Sequence, residues 1–359
     1  VRAYYLKIWL EDEVAHLSSC PWEEDLTYAQ QVCAQLGVVL ETVSLQREYW
    51  AEVVQYTFAE ARAGRTPNPD IMCNSRVKFG AFYNYVGRYH YKIATGHYAQ
   101  VGAEDPMALL LAHPDQPVML VRSPDPIKDQ SYFLCTLRQE QLRKCLFPIG
   151  HLQKSQVRGL AEEFDLPTKA RKDSQGICFL GKLKFDDFIA HYLGQSPGPI
   201  VDYQSGRVVG AHKGLWFHTI GQRKGVGLLL QGVVHLGPWF VASKHAPSNT
   251  LYVTNKLEVV RQPRLTFRVG EINWINGAPK ELLYQGQGQG QEQGQGQGGV
   301  ELEMKLRHSP NLVRGFVTRD DAGAGAAGMG AGAVDKGIAP GQFAAFYIGV
   351  VCVGAGVVT

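Results

Sequence analysis

Runs of apolar residues alternate with helix-like spacings along the first part of the chain. A continuous apolar run predicts a buried strand, and apolar residues at every third or fourth position predict a helix. The predicted strands are 3–9, 38–45 and 91–95, and the predicted helices are 24–36 and 49–63. Strands that alternate with helices predict a parallel α/β sheet, whose ligands bind beyond the carboxyl ends of the strands. Gly96 and His97 follow the third strand and are therefore candidates for ligand contact.

The pattern changes twice in the rest of the chain. Residues 141–203 are predicted to be mainly helical, and glycine-rich turns then separate short β-prone runs, a texture that predicts a small β-barrel. These runs are 200–201, 215–220, 239–242 and 251–253. We therefore predict an α/β domain over 1–140, a central helical domain over 141–203 and a β-barrel domain over 204–359.

Two low-complexity tracts interrupt the predicted barrel. Residues 285–299 consist almost entirely of Gln and Gly, and residues 322–333 are mainly Gly and Ala. Neither composition can bury enough apolar surface to offset the conformational entropy lost on ordering. Both tracts are therefore predicted to be disordered insertions.

Composition and charge narrow the class of protein. The chain has 359 residues, 45% hydrophobic and 19% charged, which predicts two or three globular domains. No apolar run reaches the length of about 18 residues that a membrane span needs, so no membrane partner is expected. Lys and Arg outnumber Asp and Glu by 15 to 9 in residues 206–359, whereas residues 1–140 carry 12 against 17. Residues 141–205 carry 9 against 7. The middle and C-terminal parts are therefore the expected surfaces for a polyanion, with a merely solvated basic surface as the alternative.

The cysteines exclude some kinds of site. The seven cysteines include no C-x-x-C pair, which argues against a zinc ribbon and a thioredoxin motif. Their odd number and scattered positions argue against a secreted disulfide scaffold. We predict no metal-ligand set and treat one or two cysteines as candidate catalytic residues.

The segment T-P-N-P-D-I-M-C-N places Asp70 three residues before Cys73. Its two prolines predict a rigid turn, and rigidity holds a reactive side chain in a set position. A carboxylate near a thiol can accept a proton and later return it. The alternative is an Asx-Pro turn that caps the following helix, with Cys73 as a core residue.

Two further segments carry candidate residues. Cys178 lies in K-D-S-Q-G-I-C-F-L-G, just after a cluster of cations that favours the reactive thiolate, although a buried strand cysteine is the alternative. Lys128, Asp129 and Gln130 precede two aromatic residues, a combination that can contact both phosphate and base in RNA. The same three residues could equally begin a helix.

Seven collinear segments together resemble the tRNA-specific 2-thiouridylase family of PP-loop ATP pyrophosphatases. They are T-P-N-P-D-I-M-C-N, A-T-G-H-Y-A, K-D-Q-S-Y-F-L, F-P-I-G, K-D-S-Q-G-I-C-F-L-G, H-T-I-G-Q-R-K-G and A-P-G-Q-F-A-A-F-Y. The resemblance implies a parallel-sheet PP-loop (adenine nucleotide alpha hydrolase-like) fold for the first domain. It also implies that ATP, with Mg²⁺, activates the 2-oxygen of the wobble uridine of tRNA for replacement by sulfur.

The resemblance further implies roles for individual residues. Cys178 would receive sulfur as a persulfide from a sulfur-relay protein or a cysteine desulfurase, and Cys73 would form a transient disulfide with it. Asp70 would be the acid/base, and Leu6 and Gly96 would contact the nucleotide. The implied tRNA contacts are Asn68, Pro69, Asp70, His97, Lys128, Asp129, Gln130, Lys305, Leu306 and Gln342. Lys305 and Leu306 stand where the family has Arg-Tyr, so the contact there is expected to be altered.

One family motif is not found in the sequence: the pyrophosphate loop S-G-G-x-D-S, whose backbone N–H groups hold the ATP phosphates. We therefore expect the chain to be a fragment that begins beyond this loop and binds ATP weakly. The full-length protein is expected to be active and the fragment inactive. The alternative from another class is a catalytically inactive tRNA-binding protein. An amidating synthetase of the PP-loop group is a weaker alternative, because it leaves the paired cysteines unexplained. The glycine-rich insertions favour a mitochondrion or plastid as the location, with the cytoplasm as the alternative.

Overall fold

The structure is a computed structural model that describes most of the chain. The described residues are 1–8, 22–102, 117–171, 184–230, 237–256, 258–259, 266–279, 300–308, 311–319, 325–329 and 338–359. No helix among them is long and apolar enough to cross a membrane.

The first part of the chain forms parallel β-strands with helices between them, which confirms the predicted α/β class. Its paired strands are β1 (Ala3–Lys7) with β2 (Leu40–Ser44), and β3 (Ile93–Ala94) with β6 (Cys145–Leu146). Its helices are α1 (Trp22–Leu36), α2 (Gln46–Tyr49, Trp50–Val54 and Gln55–Arg62), α3 (Pro69–Met72, Cys73–Ala81 and Phe82–Tyr85), α4 (Gln139–Leu142) and α5 (Lys154–Glu163). Short 3₁₀ turns cover Gly87–Tyr89 and Ser131–Leu134. Tyr4 Oη lies 2.9 Å from His90 Nε2, so β1 is tied to the segment that leads into β3.

A five-stranded sheet follows helix α6 (Phe185–Leu193). Its strands are β7 (Gly198–Asp202), β8 (Val208–His212), β9 (Leu228–Leu229), β10 (Phe240–His245) and β11 (Thr250–Thr254), in the order β10-β11-β7-β8-β9. The predicted boundary at residue 203 falls between β7 and β8, which are hydrogen-bonded neighbours. The predicted β-prone run 215–220 is instead a 3₁₀ turn over Leu215–Phe217, because Leu215 turns into the core of this sheet.

The C-terminal strands close on themselves, as a barrel requires. They are β12 (Thr266–Trp274), β13 (Val300–Lys305), β14 (Val313–Arg319), β15 (Gly325–Met329), β16 (Phe343–Ile348) and β17 (Val351–Val358). They pair in the order β12-β15-β14-β13-β16-β17, and β17 also pairs with β12. The hairpin of β4 (Ala99–Gly102) and β5 (Met119–Arg122) extends this sheet, since β5 pairs with β17. The first domain and the barrel therefore share one sheet.

Strand β15 corrects the prediction of disorder for residues 325–329, and the rest of the tract 322–333 lies outside the described residues. Residues 325–329 pair with β12 on one side and with β14 on the other. Such pairing uses main-chain N–H and C=O groups, which glycine and alanine supply as well as any other residue. The missing apolar side chains therefore did not prevent a strand here. The second tract, 285–299, lies outside the described residues.

The main hydrophobic core joins three parts of the chain. It contains Val77 and Phe79 from α3, Phe188 and Ile189 from α6, and a group from the barrel. The barrel residues of this core are Ile275, Phe343, Ala345, Tyr347, Cys352 and Ala355. Helix α3, which carries the candidate catalytic residues, therefore shares one hydrophobic core with the C-terminal barrel.

Candidate active site

Asn68 begins the helix that carries the candidate catalytic residues. Its Oδ1 accepts a hydrogen bond from the Ile71 backbone N–H at 3.3 Å, and Pro69 occupies the first helical turn. This is a strong helix start, because the cap satisfies an N–H that has no partner within the helix and proline has no N–H to leave unpaired. The capping turn that the sequence offered as an alternative is present, and it holds Asp70 in the first turn of α3.

Cys73 lies one turn further along α3, and its side chain is buried. From this residue to Ala81 the helix is π-helical, and the Phe82 N–H bonds to the Val77 carbonyl oxygen, five residues back. Such π-helical turns are rare and occur frequently at functional sites. Burial alone would fit a core cysteine, whereas the π-helical winding favours a functional one.

Asp70 is a partly buried carboxylate within electrostatic range of Lys78 and His308. Burial raises the pKa of Asp70 above its ordinary value, and the positive charges of Lys78 and His308 oppose that rise. A carboxyl group with a raised pKa exchanges protons closer to neutral pH, which suits general acid/base chemistry. Lys78 belongs to the same helix, whereas His308 follows β13 in the barrel.

A turn of the C-terminal barrel packs against the segment before Asn68. The Thr66 N–H donates to the Pro340 carbonyl oxygen at 2.8 Å. Gly341 has φ +89°, and a Cβ there would lie 2.9 Å from both Arg65 Cβ and Thr66 O, so only glycine fits. Gln342 continues the same turn. The structure therefore brings the predicted residues Asn68 and Gln342 to one side of the site.

Two side chains next to Asp70 and Cys73 were missed as candidates. His308 is exposed and stacks on Phe133, with ring centroids 6.1 Å apart. Asn74 is buried and donates from Nδ2 to the Phe133 carbonyl oxygen at 3.1 Å. Its Oδ1 has no hydrogen-bond partner within the part of the chain that the structure describes. Asn74 was visible in the motif beside Cys73, whereas no pattern in the sequence linked residue 308 to Asp70.

Comparisons with known proteins identify the family. A family model described as "tRNA methyl transferase HUP domain" matches residues 1–182, and models for a PRC-barrel domain and an aminomethyltransferase β-barrel domain match residues 186–255 and 264–358. The chain is 40% identical to the tRNA-specific 2-thiouridylase MnmA of Parabacteroides distasonis, over 96% of this chain and 87% of that protein. It is 38% identical to MnmA 2 of Bacteroides fragilis and to MnmA of Porphyromonas gingivalis, over 98% and 99% of this chain and 91% of each relative. The chain belongs to the tRNA-specific 2-thiouridylase family.

Two residues implied by the 2-thiouridylase resemblance lie inside the protein. Lys305 is 1% exposed, and its Nζ lies 3.0 Å from Asp129 Oδ2. Arg122 Nε and the Ser131 hydroxyl also donate to Asp129, at 3.2 and 2.8 Å. Burial on its own would raise the pKa of Asp129, but the charge and hydrogen bond of Lys305 outweigh burial and lower it. This group joins the first domain to β13.

Three residues predicted to contact tRNA, Asp129, Lys305 and Leu306, have little exposed surface in this structure. Lys305 is the last residue of β13, Asp129 is its ion-pair partner, and Leu306 packs in the barrel core. His308, two residues beyond Leu306, is the side chain of this strand end that is exposed and near Asp70. Contacts of Asp129, Lys305 and Leu306 with tRNA stay predictions.

Gln130 and Lys128 remain at the edge of the same turn. Gln130 Oε1 accepts from the Tyr98 N–H at 3.0 Å, and the Gln130 N–H donates to the Tyr98 carbonyl oxygen at 2.8 Å. Gln130 therefore ties this turn to the start of β4. Lys128 is half-buried, and its backbone N–H bonds to Asp125. Contacts of either residue with tRNA stay predictions.

His97 is buried next to the α3 helix. Burial and the charge of Lys78 lower the pKa of His97 to about 3, so its ring is neutral at pH 7. The ring nitrogen Nδ1 lies 2.7 Å from Thr95 Oγ1, and Phe79 and Phe147 flank the ring. The neutral imidazole of His97 therefore packs as part of the wall beside α3. Its contact with tRNA stays a prediction.

The remaining predicted residues are Leu6, Gly96 and Cys178. Leu6 is half-buried on β1, and Gly96 is exposed just beyond the carboxyl end of β3. Cys178 lies outside the described residues, so its predicted disulfide with Cys73 stays a prediction. The described ranges contain no group of three His, Cys, Asp or Glu side chains that could hold a metal ion.

Proposed function

We propose that this protein replaces the 2-oxygen of the wobble uridine of tRNA with sulfur in an ATP-dependent reaction. The observation that carries the proposal is Asp70, a partly buried carboxylate with a raised pKa, one helical turn before Cys73. The family relationship supports it, because relatives that match nearly the whole chain are named tRNA-specific 2-thiouridylases.

Asp70 and the two cysteines would divide the chemistry between them. Cys178 would carry the sulfur as a persulfide, and its terminal sulfur would be transferred to the C2 carbon of the uridine. The Cys73 thiolate would attack the inner sulfur, so that the persulfide bond breaks and a Cys73–Cys178 disulfide forms. Asp70 would take the proton from the attacking thiol and return it later. An external thiol would then reduce the disulfide.

Asn74 would help to orient the uridine. Its unpaired Oδ1 is an acceptor, and the N3–H of uracil is a donor of matching chemistry. A buried acceptor without a partner costs about 1–3 kcal/mol, and a substrate donor would relieve that cost on binding. His308, just after β13, and Gln342, in the turn that packs against Thr66, would contact the tRNA next to the uridine. Both residues belong to the barrel side of the site.

Leu6 and Gly96 fit the adenosine half of ATP. Among the residues that the structure describes, the nearest atom to a Cβ added at Gly96 is Ile149 Cδ1, at 3.8 Å, so a ligand can approach this backbone closely. Leu6 offers an apolar contact on the neighbouring parallel pair of strands. When bound, ATP, with Mg²⁺, would supply the adenylyl group that turns the 2-oxygen into a leaving group. The sulfur-relay donor and an organellar location remain predictions.

The test is complementation of a strain that lacks its thiouridylase, with mass spectrometry of tRNA nucleosides. The variants are Cys178→Ser, Cys73→Ser and Cys33→Ser, the last as a matched control on α1 away from the site. Each is made in the chain as it stands and in the chain with an S-G-G-x-D-S loop added ahead of it. In the form with the added loop, we expect 2-thiouridine from Cys33→Ser and none from Cys178→Ser or Cys73→Ser. In the form without the loop, we expect none from any variant.

Two outcomes would contradict the proposal. Equal 2-thiouridine in all three variants would exclude the cysteine mechanism. No 2-thiouridine from either form of the parent chain, together with intact tRNA binding, would favour the catalytically inactive tRNA-binding protein.

A further inference from the structure

A pocket of about 380 Å³ opens beside β3 and β6, outside the group formed by Asp70, Cys73 and His308. Its walls include Tyr91, Lys92, Gln100, Leu146, Phe147 and His151. Phe147 is shared with the candidate active site, since its ring centroid lies 5.6 Å from that of His97. The pocket therefore adjoins the site without belonging to it.

The two chain segments that form this pocket are basic. Residues 71–103 contain four Lys or Arg and no Asp or Glu, and so do residues 141–161. Residues 1–140 as a whole carry 12 Lys or Arg against 17 Asp or Glu, so the absence of Asp and Glu sets these two segments apart. Such a local excess of cations attracts a polyanion even where the net charge of the domain does not.

Exposed tyrosines are interleaved with these cations. Tyr89 is 71% exposed and Tyr91 is 59% exposed. Arg88 Cζ lies 4.8 Å from the Tyr89 ring centroid, and Lys92 Nζ lies 5.9 Å from that of Tyr91. Exposed aromatic rings beside cations are typical of surfaces on which RNA bases stack while their phosphates are neutralised.

We propose that this surface binds a nucleotide of an RNA, with the base stacked against Tyr91 in the pocket and the adjoining phosphates on Arg88 and Lys144. We call the group Arg88, Tyr89, Tyr91, Lys92, Lys144 and His151 the Tyr91 surface. The inference rests on the proposed function in one respect: the RNA is the tRNA substrate, held at a second place beside the reacting uridine. Lys92 donates to the Arg143 carbonyl oxygen at 2.5 Å, which fixes the floor next to Tyr91.

The experiment measures binding of a tRNA transcript by fluorescence anisotropy at several salt concentrations. The variants are Tyr91→Ala, Tyr91→Phe and the double change Arg88→Gln with Lys144→Gln. Tyr203→Ala and Arg207→Gln are matched controls, since Tyr203 is 56% exposed and Arg207 is also on the surface, both around the turn between β7 and β8. Thermal unfolding of each variant checks that it is folded.

The Tyr91→Ala variant loses the ring on which one base stacks, so its affinity for tRNA should fall on the order of tenfold. Tyr91→Phe keeps the ring and should bind tRNA with the affinity of the parent chain. The double cation variant should bind more weakly and lower the slope of log affinity against log salt by about 2, one for each phosphate that is no longer neutralised. Both controls should behave like the parent chain.

Parent-like affinity of Tyr91→Ala would overturn the Tyr91 surface and leave the proposed function intact. Unchanged tRNA affinity with reduced thiolation in that variant would also overturn it, in favour of a docking site for a sulfur-donor protein. No binding of tRNA by the parent chain would overturn the tRNA function itself, and this inference with it.

Discussion

Asp70 and Asp129 are two carboxylates of the first domain that lie close to the end of the same barrel strand, β13. Asp129 accepts hydrogen bonds from Lys305, Arg122 and Ser131, and its pKa is lowered although it is buried. Asp70 is also withdrawn from solvent, but Lys78 and His308 offset its burial only in part, and its pKa is raised. Both carboxylates are therefore withdrawn from water, and the number of hydrogen-bond donors and positive charges around each one decides whether its pKa is raised or lowered.

This difference separates a structural carboxylate from a reactive one. A carboxylate that already accepts several charged donors is held ionised and has little tendency to take up a proton. A carboxylate that has lost water without full compensation takes up and releases a proton more readily. We therefore expect changes at Asp70 to affect catalysis and changes at Asp129 to affect stability.

The largest expected effect is on activity, from Asp70→Asn. The amide keeps the shape of the side chain but cannot transfer a proton, so thiolation should fall about 10²–10⁴-fold. The free energy of unfolding should not decrease, because an incompletely compensated charge is removed. Single-turnover 2-thiouridine formation and urea unfolding together check this prediction. A fully active Asp70→Asn protein would remove Asp70 from the mechanism.

The next effect is on stability, from Asp129→Asn. This change leaves the buried Lys305 ammonium without its counter-charge, so the free energy of unfolding should fall by about 3–5 kcal/mol. Adding Lys305→Met should restore part of the stability, because the stranded cation is then gone. Urea denaturation of both single variants and the double variant measures the coupling. Simple additivity of the two changes would show that the pair does not act as a unit.

A smaller effect distinguishes the two carboxylates by pH. The folded pKa of Asp129 is below its unfolded value, so its stabilisation is present above pH about 4 and is lost as pH falls through the folded pKa. The folded pKa of Asp70 is raised, so its ionisation opposes folding at neutral pH and ceases to do so as pH falls. Any gain in stability from Asp70→Asn should therefore shrink between pH 7 and 4. Unfolding curves across this range test the sign, and a gain that grows towards acid pH would contradict it.

The smallest effect is expected from His308→Gln. Positive charge at His308 lowers the pKa of Asp70, so its removal should move the acid limb of the pH–rate profile to higher pH. His245→Gln, an exposed histidine of the middle sheet, is the control. Equal profiles for the two variants would mean that His308 does not act on Asp70.

The local parts of the site could be predicted from the sequence. Local sequence decides the start of α3, since Asn68 caps the helix and Pro69 occupies its first turn. Asp70 and Cys73 are three residues apart in the sequence, so they lie about one turn apart on this helix. The alternation of strands and helices likewise depends on short-range periodicity. The seven segments were sufficient to indicate the family, because seven separate matches in the same order along the chain rarely arise by chance.

Contacts between distant segments could not be predicted in this way. Residues 129 and 305 are 176 positions apart, and their ion pair follows from the closure of the barrel against β4 and β5. Strand β15 was predicted to be disordered because its composition carries no strand pattern, whereas its pairing with β12 and β14 depends on segments distant in sequence.

By itself, then, the sequence determined the family, the α/β class and the turn at Asn68 and Pro69 that precedes Asp70 and Cys73. Only the tertiary structure decided that Asp129 and Lys305 are buried partners, that His308 faces Asp70, and that the cations of two separate segments meet around Tyr91. The physical reason is that hydrophobic periodicity specifies which face of an element is buried, but not which other element buries it.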